Sequence, residues 1–134
     1  MTAIATIEGI GSVYAKKLQE AGIRTTERLL TEGATRKGRK NIAKMCDISE
    51  KLVLEWVNRA DLMRVRGIGE EYSDLLEHAG VDTVKELAKR KPVNLHAKCL
   101  EVAGKKNVVR RPPSSGEVER WVEHAKTLDP VVKY

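Results

Sequence analysis

The chain has 134 residues, 41% hydrophobic and 33% charged, with no phenylalanine. That length gives one domain, residues 1–134, with a core built from aliphatic side chains. A net charge of +6 and a pI near 9.4 favour an acidic partner such as nucleic acid, and no apolar run approaches the ~18 residues of a membrane span.

Residues 1–6 carry no charged start and are too short for a secretory signal, so a cytoplasmic protein is expected. The first organised stretch is Ile7-Glu8-Gly9-Ile10-Gly11. A reversal this tight needs backbone angles that glycine reaches cheaply. The amides after it open a helix and point outward unpaired, which suits an anion. A helix over about 12–21 follows, with Tyr14, Leu18 and Ala21 on one face and Lys16, Lys17 and Glu20 mostly outward. Gly22 ends it. Thr25 or Thr26 starts a short helix that holds Leu29 and Leu30 and stops near Gly33.

Arg36-Lys37-Gly38-Arg39-Lys40 then reads as a basic loop running into a helix around 41–46. Asp47-Ile48-Ser49 turns the chain, with Ser49 as N-cap. A long helix over 50–63 has Leu52, Val53, Trp56, Val57, Ala60 and Met63 as its apolar stripe. Val65-Arg66-Gly67-Ile68-Gly69 starts the same plan again. Tyr72, Leu75, Leu76 and Ala79 line one helix face, Gly80 caps it, and Thr83 with Glu86 forms a capping box. Lys89-Arg90-Lys91-Pro92 breaks the chain before a helix over about 94–102. A basic loop with Lys105, Lys106, Arg110 and Arg111 leads to a capping box at Ser114 and Glu117. The last helix, about 115–128, carries Val118, Trp121, Val122, Ala125 and Leu128.

These matches form an internal duplication. Gly9 pairs with Gly67, Leu18 with Leu76 and Leu29 with Leu87, all at an offset of 58. Asn41 and Cys46 pair with Asn94 and Cys99 at 53, and Trp56 and Ala60 with Trp121 and Ala125 at 65. Both length changes fall at the basic loops, where insertions cost least. The repeats run over about 1–63 and 64–134. The Trp56 helix reads as the lead-in to the second glycine turn. By the same logic the Trp121 helix is expected to close a ring and pack before Ile7, in the same molecule or in a swapped dimer.

The paired turns and their flanking residues resemble the helix-hairpin-helix motif, which holds nucleic-acid backbone without reading bases. The whole chain is similar to an uncharacterised bacterial family of tandem helix-hairpin-helix proteins known only as a domain of unknown function. Trp56-Val57, Ala60-Asp61-Leu62, Asn94-Leu95-His96-Ala97-Lys98 and Trp121-Val122 belong to that likeness. It implies an all-α fold of two fused helix-hairpin-helix repeats in one compact pseudo-symmetric domain.

The turns differ as phosphate sites. Ser12, Lys16 and Lys17 follow the first, although Glu8 sits inside it. Glu70, Glu71, Asp74 and Glu77 follow the second, where they satisfy the positive helix end and repel phosphate. Gly67, Ile68 and Gly69 are therefore expected to be structural. Residues 36–44 hold five bases and no acid, and residues 89–111 hold eight bases against Glu101 alone. The expected function is non-enzymatic, sequence-independent nucleic-acid binding, with duplex DNA favoured. Its contacts would be Gly9, Ile10, Gly11, Ser12, Lys16, Lys17, Arg36, Lys37, Arg39, Lys40, Lys105, Lys106, Arg110 and Arg111. The alternative is a protein-interaction adaptor with purely structural hairpins, its protein partner held in the groove near Glu70 and Glu71.

The stretch from Ile42 to Val53 has a helix-turn-helix rhythm, but its second helix spends Trp56, Val57 and Ala60 on packing rather than on base edges. Cys46 and Cys99 have no Cys or His at metal-ligand spacing and read as buried thiols. His78, His96 and His124 are scattered. No nucleophile triad, P-loop or carboxylate pair can be assembled, so no catalytic residue, metal or cofactor is expected.

Overall fold

The computed structural model describes residues 3–7, 9–105 and 109–134. Glu8 and Lys106 lie outside the described residues. A single 3-10 turn, Ile4–Thr6, is followed by eight α-helices among the described residues: α1 (Gly11–Glu20), α2 (Thr26–Glu32), α3 (Arg36–Cys46), α4 (Glu50–Leu62), α5 (Glu70–His78), α6 (Val84–Ala88), α7 (Pro92–Lys105) and α8 (Ser115–Thr127). The fold is all-α, with no strand among the described residues. It divides into two compact units, one of Met1–Asp61 with Val131–Tyr134, the other of Leu62–Pro130.

In the first unit, Ile4, Ile7, Ile10, Leu18, Leu29, Ile42, Val53, Trp56 and Val57 are buried. α1 turns Ala15 and Leu18 inward. It ends in paired reverse bonds, from the Gly22 amide to Gln19 O (3.0 Å) and from the Ile23 amide to Leu18 O (2.9 Å). Thr25 caps α2, its hydroxyl accepting from the Arg28 amide at 3.1 Å. Thr35 does the same for α3 through the Gly38 amide, also at 3.1 Å. That cap changes the reading of the basic run. Arg36 to Lys40 form the first turns of α3 and not a loop, because Thr35 starts the helix five residues earlier than the periodicity suggests. Gly38 permits this, since any Cβ there would collide with the Glu32 carbonyl.

The second unit packs Leu62, Val65, Ile68, Leu75, Leu76, Val81, Leu87, Leu95, Cys99, Val118, Trp121 and Val122 into one core. Burying each large side chain contributes ~1.5–3 kcal/mol. α5 ends as α1 does, with the Gly80 amide on Glu77 O and the Val81 amide on Leu76 O at 2.8 Å. The capping box at Ser114 and Glu117 forms in full. At Thr83 only half of the expected box is used: the hydroxyl accepts from the Glu86 amide, while the Glu86 carboxylate accepts from Arg90 Nε. α7 begins at Pro92, whose missing N–H costs nothing in a first turn, and it carries on to Lys105, a residue expected in the loop.

The ring closure expected of the Trp121 helix is corrected by two aromatic pairs. Trp121 stacks on Tyr72 inside the second unit, centroids 5.0 Å apart and planes 54° apart. Trp56 stacks on Tyr14 inside the first, at 5.3 Å and 53°. Each glycine turn is followed in its own unit by the helix whose tryptophan meets its tyrosine.

Candidate nucleic-acid interface

The two glycine turns share a scaffold. Within each, the isoleucine is buried and donates its amide to the residue three before it, Ile10 to Ile7 O (3.3 Å) and Ile68 to Val65 O (3.1 Å). The Ile10 amide, one of the expected contacts, is thus spent inside its turn. Gly11 opens α1 with no side-chain cap and no acid in the first turn. Gly9, Gly11, Ser12 and Lys16 are exposed, and Lys17 is half-buried with its ammonium 5.7 Å from the Tyr14 ring centre. This end of α1 offers a positive helix terminus to an incoming anion.

The second turn is acidic. Glu70 and Glu71 stand in the first turn of α5. Glu71 accepts from the Arg110 amide at 2.9 Å, and the Tyr72 hydroxyl donates to Arg111 O at 3.0 Å. The segment around residues 109–111 therefore lines the same mouth as Gly67, Gly69 and the two carboxylates.

The basic segments also part company. In α3, Arg36, Lys37, Lys40 and Lys44 are exposed and make no salt bridge among the described residues. Arg39 is the correction in that group. It is 5% exposed, and its guanidinium donates to Gly33 O (2.9 Å), Ala34 O (3.2 Å) and Lys133 O (2.7 Å). It satisfies the carbonyls past the end of α2 and holds the C-terminal tail, so these donors are spent inside the protein. Burial lowers its pKa.

In the second unit the expected contacts Lys105, Arg110 and Arg111 are paired locally, whereas Lys89 and Lys91 are exposed and make no salt bridge among the described residues. Lys105 and Lys98 face Glu101 at 3.2 and 3.9 Å, and Arg110 faces Glu71 at 3.7 Å. Arg111 grips Glu117 with two bonds of 2.8 and 3.1 Å. That fork, with the Ser114 amide, holds the Glu117 carboxyl down to about 2. Lys106 lies outside the described residues.

Residues 8–128 match the family described as Domain of unknown function (DUF4332). The chain belongs to that family. Neither a curated protein nor a solved structure matches it.

The remaining reactive groups of this DUF4332 chain are inward or paired. Cys46 and Cys99 are free and buried, and burial pushes the Cys99 thiol up to about 11. His78 lies 3.5 Å from Asp74, and His96 Nε2 sits 3.1 Å from Pro113 O. No metal-holding group of three or more His, Cys, Asp or Glu occurs among the described residues. No helix there is long and apolar enough to cross a membrane. The sequence does not disclose one feature, a cavity beside Gly67 and Trp121. Its lining comes from two places 58 residues apart (Arg66 and His124), and neither carries a motif.

Proposed function

We propose that the two units are fused, pseudo-symmetric helix-hairpin-helix repeats, and that the first binds nucleic acid in the cytoplasm without catalysis and without reading bases. Duplex DNA is the favoured ligand. Phosphate meets the amides of Gly11, Ser12 and Val13, with Lys16 and the exposed bases Arg36, Lys37, Lys40 and Lys44 adding charge. The second repeat is architectural. One observation carries this division: neither helix has a side-chain cap, but the first turn of α1 holds no acid, whereas that of α5 holds Glu70 and Glu71. A dense phosphate backbone rewards such a split, because affinity comes from neutralised phosphates and register comes from fixed amides.

The test is a salt titration with duplex, single-stranded and RNA oligonucleotides. Affinity should fall with a log–log slope of about −0.9 per phosphate neutralised on a duplex, and change little with sequence. Ser12→Glu places one negative charge at the open amides. It should weaken binding about tenfold with an unchanged melting temperature, while Glu70→Ser should change binding little, since Glu71 keeps that turn acidic. Equal binding by Ser12→Glu and the parent would make the first hairpin architectural as well. Absence of binding at low salt would favour the adaptor reading.

A further inference from the structure

The second unit contains a cavity of about 350 Å³ lined by Arg66, Gly67, Glu117, Arg120, Trp121 and His124. That is the size of a small-molecule site, and its walls are mostly apolar. Trp121 is only 2% exposed, yet its indole N–H meets no acceptor among the described residues and is not sealed off. A donor set in an apolar wall without a protein acceptor favours a ligand oxygen beside it. Gly67 decides whether one can reach it. A Cβ on Gly67 would stand 3.1 Å from Trp121 Nε1 and 3.8 Å from Cδ1. Its absence leaves the N–H open to the cavity.

The other groups around the cavity are donors. His124 Nδ1 accepts from the Arg66 amide at 3.0 Å, so the neutral ring carries its proton on Nε2. Arg66 and Arg120 are exposed and make no salt bridge among the described residues. Glu117 is the acid in the lining, and its oxygens are already committed to Arg111 and the Ser114 amide. Two cations and an inward N–H with no free carboxylate favour an anion.

The first unit differs at this place. At the matching offsets, Gly9 stands for Gly67 and Arg59 for His124. A Cβ on Gly9 would meet the Arg59 guanidinium at 3.1 Å. A guanidinium thus stands beside the first glycine, where the second has the Trp121 indole N–H.

We propose that this cavity binds a small organic anion with an apolar ring or chain. One oxygen accepts from Trp121 Nε1–H, the charge lies between Arg66 and Arg120, and the apolar part rests on the walls. A carboxylate and a phosphate monoester both supply that chemistry. The site is independent of nucleic-acid binding by the first unit.

The chain has two tryptophans, Trp56 and Trp121, so a proton–nitrogen correlation spectrum gives two indole signals, assigned with Trp56→Phe. Benzoate and phenyl phosphate are the probes, and benzamide is the neutral control. The Trp121 signal should move saturably with one or both anions, while the Trp56 signal stays. A response to benzoate alone assigns a carboxylate, and to phenyl phosphate alone a phosphate monoester. Arg66→Gln and Arg120→Gln should each weaken the response about tenfold, with the rest of the spectrum retained. Gly67→Ala should abolish it by covering the N–H; because Gly67 has φ +93°, the arginine variants test the site without backbone strain. No movement of Trp121 up to about 10 mM of either anion, millimolar being the weak end of specific binding, would overturn the proposal. So would an equal response to benzamide, or unchanged affinity in both arginine variants.

Discussion

Gly9-Ile10-Gly11 and Gly67-Ile68-Gly69 spell the same tripeptide at the same place in their units, and they end in different chemistry. The buried isoleucines and their amide bonds match. The last glycines do not: Gly11 has φ +71°, whereas Gly69 has φ −105°. The residue facing the first glycine is Arg59 in one unit and Trp121 in the other. The next turn of helix holds no acid in one and two carboxylates in the other. A short motif thus specifies a chain reversal. Its neighbours decide whether the amides beyond it stay open, and a functional reading belongs to those neighbours.

Each unit has its own tryptophan, and removing that residue has the largest expected effect on the contrast. Trp56 and Trp121 are 1% and 2% exposed and each stacks on a tyrosine. Trp56→Ala and Trp121→Ala should each cost ~3–5 kcal/mol, measured by urea denaturation. A loss below ~1 kcal/mol in either variant would show that its hairpin stands without the helix that carries the ring.

Next in size is the contrast within α3 that separates the first basic segment from the second. Arg39→Ala should destabilise by ~1–3 kcal/mol, because it leaves the carbonyls of Gly33 and Lys133 short of a donor, while Ala34 O keeps the Lys133 amide. Lys37→Gln with Lys40→Gln should leave stability within ~0.5 kcal/mol. On the proposed function, that pair should instead flatten the salt slope by about 0.9 for each phosphate no longer neutralised. The reverse pattern, with Arg39→Ala stable and weak in binding, would return Arg39 to the ligand face.

Arg39 also marks the limit of what the sequence discloses. The all-α character, the glycine-ended helices at Gly22 and Gly80, the Ser114 box and the buried cysteines follow from local spacing and are legible there. Arg39 reads as one more base in a run because its acceptor Lys133 is 94 positions away. The tryptophan helices are misplaced for a different reason. A duplicated chain can be cut as hairpin then helix, or helix then hairpin, and both cuts give the same residue order. Which helix meets Tyr14 is seen only in the ring pair with Trp56. The acidic second turn is half legible: Glu70 and Glu71 announce it, but the pairing of Arg110 with Glu71 and of Arg111 with Glu117 depends on the path of a loop.

The third contrast is at the final glycine of each turn. Gly11→Ala puts a Cβ on a residue at φ +71°, which costs ~1–2 kcal/mol although no atom lies within 4 Å of it. Gly69→Ala meets neither obstacle. It should be neutral or stabilising by up to ~1 kcal/mol, since it restricts the unfolded chain. Thermal melts of the two variants check this. Equal losses would mean that the two turns share one backbone geometry.

The smallest effect concerns a charge pair that the second unit has and the first does not, for Leu52 stands at the position matching Glu117. The Arg111 fork, followed by the Ser114 amide, holds the Glu117 carboxyl at about 2, below its ordinary 4.5. A carboxyl depressed on folding binds a proton more readily when unfolded. Its contribution is therefore complete above about pH 4.5 and is lost as pH falls through about 2. Arg111→Gln removes the larger cause and lets the folded-state value rise. The variant should melt slightly below the parent at about pH 7, and the gap should close as pH drops from about 4.5 towards 2. The effect is modest because the Arg111 side chain is 64% exposed to water. A gap that stays constant over that range would mean that Arg111 acts through its aliphatic packing rather than through its charge.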